Sequence, residues 1–385
     1  MSKKTTYGLS ISKTGGKQFT APELPYRPGK PKTYQPKIGL IGCGGITQSH
    51  LAAYKKAGYQ VVALCDVNEA NAEARRKEFY PKAAICTDYR EILKRPDIEV
   101  VDIATHPEIR VKMIRDAIRA GKHILSQKPF VLDLEIGRQL VDAADKAGVR
   151  LAVNQNGRWA PHFAYLRQAV KVGLLGDVLA AHLSVHWNHE WIAGTPFDSI
   201  KHALLYDFAI HWFDILNCFM QGRPAKRVFA SITRAEVQKS KPPLLGQVLV
   251  EYEGAQASLV FDAITSYGPL DQTILVGTKA TITSQGESLN KQKVTLHTSQ
   301  GSASPSLRGG WFPDGFHGTM AELLCAIEEN REPDNSARSN LASLALCFAA
   351  MKSADTEKPV NRDILRDTEL VGNRGGMAKP SRFIQ

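Results

Sequence analysis

The feature that most constrains the fold of this chain is a glycine turn between an apolar strand and a helix. Residues 38–47 read Ile-Gly-Leu-Ile-Gly-Cys-Gly-Gly-Ile-Thr. A glycine at the first turn position permits a tight bend, and one at the second lets a pyrophosphate approach the backbone. The helix that follows offers unpaired N–H groups and a positive dipole end. We therefore predict that Gly42, Gly44, Gly45 and Ile46 bind a dinucleotide.

The end of the next apolar run predicts which dinucleotide binds. Residues 61–65 are followed by Asp66, at the spacing where a carboxylate holds the hydroxyls of the adenosine ribose. A 2′-phosphate would meet a like charge there, and Val67 and Asn68 supply no cation. We therefore expect NAD rather than NADP. The alternative is a glycine-rich turn that binds nothing, with Asp66 capping the next helix.

The first half of the chain alternates short apolar runs with stretches of helical periodicity. Such alternation with short links is typical of parallel strands covered by helices on both faces. The predicted strands are residues 38–42, 60–65, 99–104, 123–126 and 150–154. The predicted helices are residues 46–57, 69–79, 109–120 and 134–147. We expect an α/β fold whose N-terminal domain is a doubly wound parallel sheet of the Rossmann type.

The second half has a different pattern, with many strand-like segments and few helices. The strand-like segments are residues 178–187, 226–236, 246–252, 256–265, 271–276, 280–284 and 293–298. The predicted helices are residues 161–172, 203–219, 316–329 and 339–354. Hairpin-type links such as Glu253-Gly254 favour an α+β domain with an open, mainly antiparallel sheet. Because such a sheet exposes one face, we expect a homodimer or homotetramer.

Length and composition suggest four segments. At 385 residues the chain is too long for one core. We predict a basic, proline-rich N-terminal arm at 1–36, an NAD-binding domain at 37–157, a substrate-binding and oligomerisation domain at 158–358, and a C-terminal tail at 359–385.

Charge and cysteine usage exclude several function classes. Of the net charge of +11, residues 1–37 carry +7 and residues 359–385 carry +2, which leaves a nearly neutral body. We therefore expect no nucleic-acid partner. There is no run of 18 apolar residues and no secretory signal pattern, so we expect no membrane contact. The six dispersed cysteines indicate reduced thiols and a cytoplasmic location.

Two clusters could carry chemistry. The first is Lys128, which precedes Pro129 at the carboxyl end of a predicted parallel strand, where ligands of such sheets collect. The second is Asp207, His211 and Asp214, whose spacing places them on one face of an apolar helix. A histidine flanked by carboxylates can accept a proton from an alcohol. The alternatives are a surface lysine and a structural histidine in the core.

The chain resembles the glucose–fructose oxidoreductase, inositol dehydrogenase and rhizopine catabolism (Gfo/Idh/MocA) oxidoreductases. The resemblance rests on four motifs that occur in this order: the glycine turn, Asp66, the Gln127-Lys-Pro segment and Asp207-x-x-x-His211. The resemblance spans residues 37–355. It implies that Lys128, Asp207 and His211 form the catalytic site and also contact substrate.

The resemblance also implies binding roles for residues around that site. It places Thr105 and His106 on the nicotinamide side, with Gln127, Lys128 and Asn156 beside the cofactor. It places Arg158 near the substrate at the domain junction.

Three departures from the family pattern affect the substrate pocket. Gln127 replaces the usual glutamate, and Arg110 stands where a histidine is common. The glycine-rich run before Asp207 is replaced by residues 200–205, so we expect Lys201 and His202 to reshape the pocket, with His202 contacting substrate.

A segment rich in histidine and tryptophan, residues 182–191, permits two interpretations. His182 and His186 share a strand face, which could hold a metal. No cysteine or carboxylate cluster has a fixed spacing with them, so we expect no metal. We expect instead that Trp187 and Trp191 stack on a sugar ring.

Together these features predict NAD-dependent oxidation of a secondary hydroxyl on a sugar, sugar derivative or cyclitol. One alternative is an enzyme with transient redox at tightly bound NAD, that is, a glycosidase or an oxidoisomerase. Another is an NAD-binding sensor without catalysis.

Overall fold

The computed structural model describes residues 17–361, and its first half is a parallel six-stranded sheet. The strand order is β3-β2-β1-β4-β5-β6, the Rossmann arrangement. The strands are β1 (Lys37–Ile41), β2 (Gln60–Cys65), β3 (Ala84–Cys86), β4 (Ile98–Ile103), β5 (His123–Ser126) and β6 (Leu151–Val153). No sequence pattern predicts β3, because it has only three residues.

Helices connect these strands, and local capping residues set where several of them begin and end. The helices are α1 (Thr47–Ala57), α2 (Glu69–Phe79), α3 (Tyr89–Lys94), α4 (Pro107–Arg119) and α5 (Leu134–Ala147). The Asn68 side chain caps α2 and that of Asp133 caps α5. Gly58 and Gly148 end α1 and α5 in the left-handed conformation.

The second half contains a nine-stranded mixed sheet. Its strands are β7 (Val178–His186), β8 (Ala225–Thr233), β9 (Leu245–Tyr252), β10 (Ala255–Asp262), β11 (Leu270–Gly277), β12 (Ala280–Ser288), β13 (Lys291–Thr298), β14 (Gly301–Ala303) and β15 (Val360–Asn361). They run in the order β14-β13-β12-β11-β7-β10-β9-β8-β15, and every pairing except β7 with β10 is antiparallel. This confirms the predicted fold class.

Four longer helices accompany this sheet: α6 (Pro161–Lys171), α7 (Ile210–Phe219), α8 (Trp311–Glu328) and α9 (Ala337–Thr356). Burial alternates along the sheet strands, so one face packs on helices and the other remains open. Helix α8 lies in the range predicted for the second domain, yet Phe316, Met320 and Leu323 pack in the core of the first sheet. The two halves therefore share α8.

Residues 17–36, the described part of the predicted arm, run across the molecule's own surface. The Phe19 amide donates to the Ser302 carbonyl, and the Tyr165 hydroxyl donates to the Pro22 carbonyl. Further along, Glu328 of α8 accepts the amides of Lys32, Thr33 and Tyr34. The rest of the predicted arm and most of the predicted C-terminal tail lie outside the described residues.

All six cysteines are free thiols, as the sequence analysis expected. Within residues 17–361, no helix has both the length and the apolar character needed to cross a membrane.

Candidate active site

The carboxyl ends of the parallel strands form a cleft that begins at the glycine turn. Gly42 has a φ of +90°, and a Cβ there would lie 3.0 Å from the carbonyl carbon of Ala104. A Cβ on Gly44 or Gly45 would instead meet open space. Among the described residues, the amides of Gly44, Gly45 and Ile46 have no hydrogen-bond acceptor. These positions fit a bound pyrophosphate.

Asp66 is fixed beside this turn. Its Oδ2 accepts the Cys43 amide at 2.8 Å, and its Oδ1 accepts the Asn68 amide at 2.9 Å. A residue that the sequence analysis missed also lies here. The Arg75 guanidinium of α2 donates to the Gly44 carbonyl at 3.2 Å and pairs with Glu78. No local motif marks Arg75, because it approaches the turn from the next helix.

Lys128 and Asp207 meet across the junction of the two halves. Lys128 Nζ lies 3.0 Å from Asp207 Oδ1 and 2.8 Å from the Asp207 carbonyl oxygen. Both side chains are about four-fifths buried, with exposed fractions of 17% and 23%. The pairing fixes the ammonium at the carboxyl end of β5, and Pro129 follows through a cis peptide bond.

His211 lies one helical turn beyond Asp207. Burial first, and the charge of Lys128 second, hold the pKa of the His211 imidazole well below its usual value. The imidazole is therefore neutral at physiological pH. Neither ring nitrogen forms a hydrogen bond with another described residue, so the ring is available as a proton acceptor. A Cβ on Gly157 would lie 3.3 Å from Trp311 Cζ2, which is tighter than most contacts, and 3.8 Å from His211 Nδ1, so this glycine lies directly against the His211 and Trp311 side chains.

The helix that carries these groups is not regular. Leu204–Phe208 form a π-helical turn in which the Ala209 amide donates to the Leu204 carbonyl. Helix α7 follows directly. Such turns change the angular offset between side chains and are frequent at functional sites. Asp207 consequently contacts Lys128, whereas Asp214 is buried against Arg158. The predicted common face of Asp207, His211 and Asp214 does not occur.

Arg110 joins the two loops that flank the cleft. Its Nε donates to the Thr105 carbonyl at 3.1 Å, and its Nη1 donates to the carbonyls of Gln127 and Pro129. Burial lowers the pKa of the guanidinium to about 10, so it stays charged. The backbone on both sides of Lys128 is thus bonded to one buried cation. His106 lies next to this contact, as the residue preceding α4.

Gln127 faces the interior. Its Oε1 accepts the Lys128 amide at 2.8 Å, and its Nε2 lies 3.2 Å from His50 Nε2. His50 Nδ1 lies 2.7 Å from Asp102 Oδ2, to which Tyr54 also donates. This buried network orients the Lys128 backbone, and the expected position of Gln127 beside the cofactor stays a prediction.

The structure does not bring Arg158 and His202 into the cleft. Arg158 is 3% exposed, and its Nε and Nη2 each lie 2.6 Å from the Asp214 carboxylate. His202 Nε2 lies 3.1 Å from Asp355 of α9. Arg158 thus pairs with the buried Asp214, and His202 pairs with the half-exposed Asp355. The sequence analysis predicted neither pair.

Trp191 lies at the rim of the site. Its indole Nε1 donates to His189 Nδ1 at 3.2 Å, and the His189 ring packs on Phe208 with 4.3 Å between ring centroids. Burial lowers the pKa of His189 to about 4. The negative charge of Asp207 raises this pKa, whereas the positive charge of Lys128 lowers it. In residues 17–361, no group of three or more His, Cys, Asp or Glu side chains could hold a metal.

A cavity of about 490 Å³ adjoins His211. Asn156 lies behind its wall, where its Oδ1 accepts the indole N–H of Trp311 at 2.6 Å. Asn156 is 3% exposed, so its side chain supports the cavity wall.

Two family models match this chain. Residues 36–155 match the GFO_IDH_MocA model described as an oxidoreductase family with an NAD-binding Rossmann fold. Residues 163–283 match the GFO/IDH/MocA C-terminal domain. Together the two matches cover more than half of the chain.

The individual proteins that this chain resembles have low sequence identity to it. D-apiose dehydrogenase of Paraburkholderia graminis is 26% identical over 83% of this chain and 87% of its own length. Inositol 2-dehydrogenase of Rhizobium meliloti is 26% identical over 84% of this chain and 98% of its own. The crystal structure of an oxidoreductase from Agrobacterium radiobacter, in complex with NAD⁺, L-tartaric acid and magnesium, has a TM-score of 0.77 at 21% identity. It covers 86% of this chain and 100% of its own.

Proposed function

Because this chain belongs to the Gfo/Idh/MocA oxidoreductase family and has its NAD-binding Rossmann domain, we propose that it is an NAD-dependent dehydrogenase. Its substrate is a sugar, a sugar derivative or a cyclitol, and the group it oxidises is a secondary hydroxyl. D-apiose and inositol dehydrogenases among its relatives support this substrate class. The observation that supports the proposal most directly is the contact of Lys128 with Asp207 beside a neutral His211.

Each of these residues has a distinct role in the proposed reaction. The substrate hydroxyl binds between Lys128 and His211, and the neutral imidazole accepts its proton. The Lys128 ammonium stabilises the developing alkoxide, and Asp207 holds that ammonium in position. The glycine turn and Asp66 would hold NAD, which would supply a hydride acceptor for the carbinol carbon.

Asp66 supports NAD over NADP in this proposal. Its carboxylate lies where the 2′ position of the adenosine ribose is expected, and it repels a 2′-phosphate. The Arg75 donors nearby are already directed to Thr47, Glu78 and the glycine turn, so Arg75 does not offset that repulsion.

The test is an assay of NADH absorbance at 340 nm across sugars, cyclitols and glycosides, with NAD and NADP supplied separately. For an active compound, we expect Lys128→Met to lower kcat by about 10²- to 10⁴-fold, because the proton-transfer geometry and the alkoxide stabilisation are both lost. The matched control is Lys82→Met, which replaces an exposed lysine of the same domain and should leave kcat unchanged.

Two outcomes would contradict the proposal. Near-normal turnover by Lys128→Met would remove Lys128 from the mechanism. Consumption of a glycoside without absorbance change, by protein that retains NAD through purification, would instead support transient redox.

A further inference from the structure

The cavity beside His211 has walls that are mostly aromatic. Its volume of about 490 Å³ falls in the range of sites for drug-sized ligands, roughly 300–1,000 Å³. This is more space than one monosaccharide ring fills. The aromatic side chains that line it are Trp187, Phe208, Trp212, Trp311 and Phe312.

These aromatic walls are held rigidly by one another. Trp212 packs edge-on against Trp187 and Trp311, with 5.8 Å between ring centroids in each pair. Trp187 also packs edge-on against Phe208, at 5.2 Å. Because each ring is fixed by another, the cavity presents preformed flat surfaces.

The polar atoms of the walls are few, and most are already bonded. The Trp311 indole N–H donates to Asn156, and Asn290 Oδ1 accepts the Trp311 amide at 2.8 Å. Glu287 pairs with Lys291. The indole Nε1 atoms of Trp187 and Trp212 are both buried, and that of Trp212 faces the buried Asp271 carboxyl.

A free polyol does not suit such walls. Each sugar hydroxyl that is buried without a partner weakens binding by roughly 5- to 150-fold. His211 lines this cavity, and a sugar ring held there can also reach Lys128, whereas the only other ionisable side chain of the lining is Glu287, which pairs with Lys291. The remaining volume offers ring faces instead of hydrogen-bond partners.

We propose that the substrate is a glycoside with an aromatic aglycone. Its sugar ring binds at Lys128 and His211, and its flat aglycone enters the cavity between Trp187, Trp212 and Phe312. This inference rests on the proposed dehydrogenase function and specifies its substrate class.

The test compares phenyl and methyl glycosides of the same sugar and anomer. The panel contains both anomers of glucose, galactose, mannose and xylose, assayed with NAD at 340 nm. We expect kcat/KM at least tenfold higher for the phenyl member of an active pair, mainly through a lower KM.

A variant links this preference to the cavity. Phe312 lines the cavity and is 49% exposed, so Phe312→Ala should fold. It should reduce the phenyl preference to about threefold or less, because the variant lowers kcat/KM for the phenyl glycoside more than for the methyl glycoside. The matched control is Tyr267→Ala, which removes a fully exposed aromatic side chain outside the cavity lining and should keep the preference.

Failure of the substrate class is distinguishable from failure of the function. Equal kcat/KM for phenyl and methyl members, with turnover of either, would overturn the aglycone proposal and leave the dehydrogenase. If no compound is oxidised, the dehydrogenase proposal fails on this panel, and calorimetry of the NADH complex with phenyl and methyl glycosides decides the aglycone proposal. A dissociation constant at least tenfold lower for a phenyl glycoside supports it, and any smaller difference or no binding overturns it.

Discussion

At the scale of single residues, Asp271 is the most exceptional side chain outside the catalytic cluster. It lies on β11, is fully buried, and neither carboxylate oxygen has a hydrogen-bond partner among the described residues. Burial raises its pKa from 3.8 to about 7, against the opposing effect of the neighbouring Trp212 indole. The native state thus holds a proton that the unfolded chain releases near pH 4.

This raised pKa makes stability depend on pH. The unfolded chain binds fewer protons between pH 4 and 7, so the free energy of unfolding falls as pH rises through that interval. Asp271→Asn removes the ionisable group. We expect it to change stability little at pH 4 and to add about 2–4 kcal/mol at pH 8, measured by urea denaturation at both values.

The control is Asp177→Asn, which neutralises an exposed carboxylate and should give the same small change at both pH values. A stability gain from Asp271→Asn that does not grow with pH would show that the carboxyl is not protonated in the native state.

Arg158 is a second residue whose environment decides its role. The guanidinium is bonded to Asp214, which also accepts the Ser343 hydroxyl at 2.8 Å. Removing one partner leaves an uncompensated buried charge. We expect Arg158→Met to lower the free energy of unfolding by about 3–5 kcal/mol, measured by urea denaturation, with little change in KM. A KM raised tenfold or more at unchanged stability would instead support the substrate contact implied by the family resemblance.

At the scale of secondary structure elements, the sequence predicts most of the parallel sheet because its buried strands are continuous apolar runs bounded by turns. It does not reveal β3 or α3, whose three and six residues are too short to show a period. The π-helical turn at Leu204–Phe208 is also invisible, since one extra residue in a helical turn leaves the apolar spacing almost unchanged.

The same limit applies to the candidate site. The structure brings Lys128 into contact with Asp207 and within electrostatic range of His211, because the end of β5 meets the irregular turn before α7; their catalytic roles stay predictions. Arg158 and His202 are placed elsewhere, since their carboxylate partners are distant in sequence. A sequence motif identifies side chains with suitable chemistry. Whether a charged side chain is free to bind substrate depends on partners far away in the sequence, which a motif does not contain.

The contact between residues 17–36 and helix α8 can be tested through the hydrogen bonds that Glu328 accepts. The hydrogen bonds from the Lys32, Thr33 and Tyr34 amides hold the pKa of Glu328 at about 2, so this contact persists above pH 4.5 and is lost as pH falls toward 2. We expect Glu328→Ala to speed amide hydrogen exchange at these three residues at least tenfold.

The comparison uses hydrogen exchange measured by mass spectrometry at pH 7. Glu236→Ala removes an exposed carboxylate elsewhere and should leave those amides unaffected. Equal protection in both variants would mean that the segment is held by its contacts with Ser302 and Tyr165 alone.

At the scale of the whole molecule, one face of the nine-stranded sheet is exposed, since burial alternates along its strands. One cross-strand row on this face spans seven strands and contains no aspartate, glutamate, lysine or arginine. In register order the row is Phe229, Leu249, Ser258, His182, Ile274, Thr283 and Thr295. Phe229 and Leu249 are 40% and 56% exposed, unusually high fractions for apolar strand residues.

We propose that a second copy of the chain covers this face. Two such sheets can pack face to face, and the self-complementary contact gives a closed dimer or, through a second interface, a tetramer.

Light scattering after size exclusion should then give two or four times the chain mass. Leu249→Asp places a charge at the most exposed apolar position of the row and should shift the protein towards monomer. Val237→Asp, at an exposed apolar residue in the loop after β8, should keep the oligomer. A wild-type mass equal to one chain would contradict the proposal, because the open face would then remain in contact with water.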